Sequence, residues 1–315
     1  MSTPLDRVGD ELRTAGLEVR HGVSVAAMTT YKVGGPVAIF VEVADVEQLL
    51  ALATVTARHG VETLVIGNGS NLLVADAGAP LVALRLGADF ERIEVGGTTL
   101  TAGGAARLPV VARRSVAAGL TGFEWAVGVP GSIGGAVRMN AGGHGSDMAT
   151  CVSSVRVLDL WTGQDETVSA ADCEFSYRRS RFGATSVVVS ATLELAEAPD
   201  RAASERELSE IVQWRRANQP GGQNAGSVFT NPPGDSAGRL IDTAGCRGLR
   251  VGTAEVSDKH ANFIQSDPAG SADAVAALMG QIVERVRSAH GVSLHPETVM
   301  VGFDPAVLER AGVLR

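Results

Sequence analysis

Hydrophobic residues recur at helical spacing in some stretches of the chain and alternate or run together in others, which predicts a mixture of α and β segments. Leu5, Val8 and Leu12, set among Asp6, Arg7, Asp10 and Glu11, predict a short surface helix over 4–15. Residues 29–36, T-T-Y-K-V-G-G-P, run into a Gly-Gly-Pro break before a strand in P-V-A-I-F-V-E-V. Asp45 is placed to cap a helix from Val46 to about His59, with Val46, Leu49, Leu50 and Ala53 on one face and Gly60 at its end. With the short apolar run T-L-V-I-G at 63–67, this segment reads as a βαβ unit. Strands are expected in L-V-A-L-R-L and across 93–103, with Gly96-Gly97 as a hairpin turn, and a helix over 107–118 carries Leu108, Val111 and Val116. S-V-R-V-L-D-L, a turn near Thr162-Gly163 and 186–195 return to β.

Pro199 and Asp200 mark a boundary, after which a charged helix over about 204–217 opens a new unit. A loop at 219–226 and a helix over 236–244 follow. Ser271 caps the longest helix, which reaches His290 with Val275, Leu278, Met279, Ile282 and Val286 in one core-facing stripe. T-V-M-V-G-F at 298–303 is a closing strand, and there is no internal repeat.

One stretch fits neither period. From Gly119 to Gly145 there are nine glycines in twenty-seven residues. Main-chain N–H groups can approach a ligand closely where Cβ is missing, and a run of them leading into a helix start makes a concave site for a pyrophosphate. The other reading is a glycine-rich surface loop. Phe123, Trp125, Val127, Val129, Ile133, Val137 and Met139, interleaved with the glycines, favour a packed segment. A second glycine loop, G-N-G-S-N-L-L at 67–73, stands where a strand ends, the place at which α/β folds bind phosphorylated ligands; a tight turn is its other reading. Asn71 occupies the third glycine of a Rossmann fingerprint and no Gly-Lys-Ser/Thr follows, so neither common nucleotide motif is present.

Length and composition narrow the classes. A chain of 315 residues with 45% hydrophobic and 20% charged residues suggests two or three globular domains. The net charge of −8, with no long Lys/Arg cluster, argues against nucleic acid as the main partner but not against one nucleotide. Three cysteines without C-x-x-C spacing offer neither a disulfide framework nor a zinc site, and together with an N-terminus lacking a signal-peptide pattern they point to the cytoplasm. No apolar run reaches the roughly 18 residues of a membrane span.

Three residues are candidates for chemistry. Arg178, in F-S-Y-R-R-S-R-F, is suited to planar recognition of carboxylate or phosphate, or belongs to a solvated basic turn. Ser227, in A-G-S-V-F-T-N-P, is a catalytic or a turn hydroxyl. Glu297, in L-H-P-E-T-V-M-V-G, is an acid of raised pKa or a solvated charge at a strand edge.

In combination and in order, T-T-Y-K-V-G-G-P, G-N-G-S-N-L-L, G-V-P-G-S-I-G-G-A-V-R-M-N-A-G, Y-R-R-S-R-F, A-G-S-V-F-T-N-P, H-A-N-F-I and H-P-E resemble the UDP-N-acetylenolpyruvoylglucosamine reductase family, from about Ala27 to Phe303. The resemblance implies an α+β architecture: an FAD-binding fold of the vanillyl-alcohol-oxidase (PCMH) type in two subdomains, 27–84 and 85–198, after a lead-in at 1–26. A C-terminal α+β substrate-binding domain would occupy 199–315. FAD, held non-covalently, is expected on Tyr31, Gly67, Asn68, Gly69, Ser70, Asn71, Leu72, Gly128, Pro130, Gly131, Ser132, Gly134, Gly135 and Asn140, and substrate on Tyr177 and Asn231. NADPH and UDP-N-acetylglucosamine enolpyruvate are the implied reactants, in a step of peptidoglycan precursor synthesis.

By the same resemblance, a hydride would pass from NADPH to the flavin and from its N5 to C3 of the enolpyruvyl ether. Arg178 and Glu297 would stabilise the charge on the substrate carboxylate, Glu297 best if protonated, and Ser227 would give the proton to C2. Thr230 stands where many relatives have lysine, which puts one contact to the UDP diphosphate in doubt, and the short run after Arg178 resembles the shorter of the family's two types. A flavin oxidase of the same fold would not need all three residues, and a non-catalytic nucleotide-binding paralogue would be expected to lose one of them.

Overall fold

The structure is a computed structural model and describes residues 4–313. The first three and last two residues, included in the expected divisions 1–26 and 199–315, lie outside the described residues. The local signals act largely as expected. Helix Val46–His59 begins where the Asp45 carboxylate accepts Gln48 N–H at 2.9 Å and ends at Gly60, while Ser236 and Ser271 cap helices Ala237–Thr243 and Ala272–His290. The apolar face of Val46–His59 is turned from the expected one: Leu49, Leu52, Ala53 and Val55 are buried, Val46 is half-buried, and Leu50 faces out.

Tertiary packing falls into two units, neither continuous in sequence. One comprises the chain up to His21, Ala38–Asn68 and Leu81–Arg215; the other comprises Gly22–Val37, Gly69–Pro80 and the chain from Arg216 onward. The expected cuts at 26, 84 and 198 divide the chain differently.

The first unit has two cores. In one, helices Pro4–Thr14 and Val46–His59 pack with the sheet containing strands Pro36–Val43, Ala79–Leu86 and Thr63–Val65. The expected βαβ unit is interleaved, because Ala79–Leu86 lies between its two strands and pairs in parallel with Thr63–Val65. The other core lies on an antiparallel five-stranded sheet in the order Asp165–Ser169, Val152–Asp159, Ser186–Glu194, Thr99–Gly103, Ile93–Gly96. Gly96 pairs with Thr99, so the hairpin loop is Gly97-Thr98, one residue beyond the expected Gly96-Gly97, with Gly97 at φ 63°. The charged helix starts three residues early, as Arg201–Asn218, and buries Ile211 in this core instead of opening a new unit.

In the second unit, helices Ala237–Thr243 and Ala272–His290 cover a small sheet formed by Arg250–Val251, Ala254–Val256 and Ile264–Ser266. Strand Leu72–Val74 pairs in parallel with Val299–Val301, and Tyr31, Val33 and Leu73 are buried in the same core.

Candidate active site

The two glycine loops meet within the first unit. Strand Thr63–Val65 leads into Gly67, where a Cβ would stand 2.7 Å from Ser132 Oγ, and Asn68 Nδ2 donates to Pro130 O at 3.1 Å. Gly128 is buried between Ile211, Arg215 and His144, and the Arg215 guanidinium donates to its carbonyl. Burial lowers the pKa of Arg215, and burial followed by the Arg215 charge lowers that of His144.

One expectation is corrected here. The helix after the loop, Ile133–Arg138, is a short one, and its first N–H groups do not point to a free cradle. Ile133 N–H donates to Ala106 O at 2.9 Å and Gly134 N–H to Gly104 O at 2.8 Å, while Gly131 O accepts Leu108 N–H at 3.0 Å. The segment is pinned on T-A-G-G-A-A, at 101–106, where the pattern predicts only the end of a strand. Its pair of glycines was the available signal, since a Cβ at Gly103 or Gly104 would collide with Phe90 O or Val188 O.

Arg178 occupies an unusual backbone state. Ser176 and Arg179 exchange both main-chain bonds, at 2.9 and 3.1 Å, which leaves Tyr177-Arg178 as a two-residue loop with Arg178 at φ 56°. That left-handed region favours glycine or asparagine, and a non-glycine residue held in it costs about 1–3 kcal/mol. The guanidinium is half-buried and donates to Asn140 O at 3.5 Å and Gly142 O at 3.3 Å. Buried Asn140 holds the turn: its amide donates to Ser176 O at 3.0 Å and Asp147 Oδ2 at 3.1 Å, and its Oδ1 accepts Ala149 N–H. Its amide group is therefore committed to protein partners. Tyr177 is exposed.

The remaining candidates belong to the second unit. Gly69, at φ 60°, accepts Thr30 N–H at 3.1 Å through its carbonyl, and a Cβ there would collide with Met28 O. Tyr31 is fully buried, which raises its phenol pKa. Ser70 is half-buried and Leu72 enters the parallel strand pair. Asn71 is tied to Glu297: its amide donates to Glu297 O at 3.0 Å, and its carbonyl accepts Val299 N–H. Ser227 is half-buried, and the next residue, Val228, accepts Glu297 N–H at 2.8 Å. Ser227 and Glu297, 70 residues apart in sequence, thus stand on adjoining backbone. Thr230 turns both its N–H and its hydroxyl to His295 O, and Asn231 Oδ1 accepts Ala237 N–H at 3.0 Å.

These features fit a bound flavin dinucleotide. The space a Cβ would take at Gly67 and Gly69 is filled by Ser132 Oγ and Met28 O, which locks both turns of this loop against the protein. The buried Tyr31 Oη and Trp125 Nε1 have no hydrogen-bond partner among the described residues, which suits donors meant for a non-protein group. Burial pushes the Cys151 thiol up to about 12 and the Cys173 thiol to about 11, so neither is a ready nucleophile toward a flavin ring. Among the described residues there is no metal-ligating cluster and no helix long and apolar enough to cross a membrane.

Comparison with known proteins agrees. Residues 36–169 match the FAD binding domain family, and residues 218–301 match the family described as UDP-N-acetylenolpyruvoylglucosamine reductase, C-terminal domain. UDP-N-acetylenolpyruvoylglucosamine reductase 2 of Symbiobacterium thermophilum is 39% identical over 307 residues, covering 97% of this chain and 99% of the relative. The reductase of Heliobacterium modesticaldum is 43% identical, covering 90% of this chain and 91% of its own. The crystal structure of the reductase from Thermus caldophilus superimposes with a TM-score of 0.79 at 35% identity, covering 90% of this chain and 99% of that one.

Proposed function

The chain belongs to the UDP-N-acetylenolpyruvoylglucosamine reductase family, and we propose on that premise that it reduces UDP-N-acetylglucosamine enolpyruvate to UDP-N-acetylmuramate, with FAD as cofactor and NADPH as hydride source. The supporting observation is the end-to-end match to the first of these relatives, 39% identical over 97% of this chain. The product is a peptidoglycan precursor, so the activity belongs to cell-wall biogenesis in the cytoplasm and, through it, to cell shape and division.

Gly67, Asn68, Gly69, Ser70, Asn71, Leu72 and the segment Gly128, Pro130, Gly131, Ser132 and Gly135 would hold FAD, with Tyr31 donating its phenol. The chemistry FAD supplies when bound is two-electron hydride transfer, from NADPH inward and from N5 outward to C3 of the enolpyruvyl group. The protein's own groups handle charge and proton. Arg178 makes planar contact with the substrate carboxylate, on which negative charge collects as C3 accepts the hydride. Glu297 polarises the same carboxylate, most effectively in a protonated form able to donate a hydrogen bond. Ser227 gives its hydroxyl proton to C2; an alkyl hydroxyl is a weak acid, so this requires a strongly basic carbon within hydrogen-bond reach. The balance is one hydride on C3 and one proton on C2, with the Ser227 alkoxide reprotonated from solvent, so that each turnover consumes one NADPH and one proton. Asn140 serves by holding the Arg178 turn. Tyr177 and the amide of Asn231 are assigned to substrate.

Anaerobic stopped-flow absorbance tests the reading. The purified yellow protein is expected to bleach with NADPH and to regain flavin colour on addition of the enolpyruvyl substrate. Colour returning only with oxygen would favour the oxidase instead. Ser227→Ala should leave bleaching nearly intact and slow recolouring by several orders of magnitude, comparable to loss of a catalytic-triad member.

A further inference from the structure

The motif H-A-N-F-I, at 260–264, belongs to the sequence pattern of the chain but has no role in the reaction as described above. Its asparagine lies against the backbone that carries Ser227. Asn262 is buried, and three of its polar atoms serve the two residues after Ser227. Its carbonyl accepts Val228 N–H at 2.9 Å, its Oδ1 accepts Phe229 N–H at 3.0 Å, and its Nδ2 donates to Phe229 O at 2.8 Å. The side-chain amide thus takes both main-chain groups of Phe229, as a neighbouring strand would. From the other direction, Val228 O accepts Glu297 N–H at 2.8 Å, and Phe229 forms an isolated bridge with Pro296.

We infer that Asn262 is a positioning residue for proton delivery, fixing the Ser227-Val228-Phe229 backbone so that the Ser227 hydroxyl and the Glu297 segment keep one register; this rests on the proton-donor reading of Ser227. Proton transfer from a poor acid demands placement within a few tenths of an ångström, and Ser227 is only half-buried, so its own packing does not fix it. A backbone clasped on both edges does. Asn262 itself is fixed on its other side, where its N–H donates to His260 Nδ1 at 3.3 Å.

The test uses the full-length holoenzyme carrying Asn262→Ala, with Asn262→Asp as the isosteric variant, which accepts from Phe229 N–H but has no hydrogen to give Phe229 O. Flavin reduction by NADPH is expected to stay within about twofold, and substrate-driven reoxidation to fall about 10- to 100-fold, the size of a small misplacement. The loss should shrink to under about twofold in a Ser227→Ala background, because the two changes then act on one step. In the FAD-free protein, the Phe229 amide should exchange its hydrogen faster in Asn262→Ala, while Val228, bonded to the main-chain carbonyl of residue 262, keeps its protection. Equal slowing of both half-reactions, or an undiminished loss on the Ser227→Ala background, would overturn the inference. If Ser227→Ala itself slowed both half-reactions equally, the proton-donor reading would fall, and this inference with it.

Discussion

At the scale of single residues, the sequence offers candidates for the chemistry but not the backbone states that present them. Arg178 stands out because planar carboxylate recognition needs a guanidinium, yet nothing in Y-R-R-S-R-F announces a left-handed φ on an arginine. Local preference argues against it, and Asn140, 38 residues away, helps enforce it through Ser176 O. Asn262 was hidden for a similar reason: its partner Phe229 is 33 residues distant, and spacing alone cannot show an amide imitating a strand. The strain at Arg178 separates stability from function. Arg178→Gly relieves the unfavourable φ and loses the guanidinium's contacts, opposing effects of about 1–3 kcal/mol each, so unfolding free energy in urea should change by no more than about 2 kcal/mol in either direction. Turnover should fall by about 10²- to 10³-fold, the cost of losing one donor to developing charge. Destabilisation beyond about 2 kcal/mol with modest loss of turnover would make the guanidinium a structural group.

Among elements, legibility followed the range of the interactions. Asp45, Gly60, Ser236 and Ser271 act within a few residues of themselves, and the helices they bound lie where the pattern put them. The helix Arg201–Asn218 was legible as a helix but not in its allegiance, since Ile211 and Arg215 reach the glycine segment through tertiary contacts alone. Ser271 also proved to be half of a double cap. Asp76 accepts Ala272 N–H at 2.9 Å and Asp273 N–H at 3.1 Å, takes the Ser271 hydroxyl, and returns its own N–H to Asp273 Oδ1 at 3.2 Å. A carboxylate at the start of a nineteen-residue helix is favoured both as acceptor and as charge. Asp76→Ala should therefore cost about 1–2 kcal/mol in urea unfolding, and Asp76→Asn less, because the amide oxygen still accepts. Equal losses in the two variants would assign the effect to charge, and no loss in either would leave Ser271 as sufficient cap.

For the whole molecule, the order of elements was readable and the grouping was not. A sequence reading cuts a chain at composition breaks, and Pro199-Asp200 is such a break. The second unit nevertheless draws Tyr31, Val33 and Leu73 into its core from the first quarter of the chain, and its strand Val299–Val301 finds a parallel partner in Leu72–Val74. Parallel pairing is the step that local patterns cannot show, because its partners lie 227 residues apart at Val299 and Leu72. The consequence is measurable. A fragment of residues 216–315 lacks three fully or nearly fully buried side chains, worth about 1.5–3 kcal/mol each and so roughly 5–9 kcal/mol together, besides one side of a strand ladder. That is most of the stability of an ordinary domain. The fragment should keep helical far-UV circular dichroism from Ala272–His290, show no cooperative urea transition, and lack a near-UV signal, while the full chain unfolds cooperatively. A sharp transition in the fragment would mean that residues after 215 hold their own core, and that Tyr31 and Leu72–Val74 are laid against a finished surface.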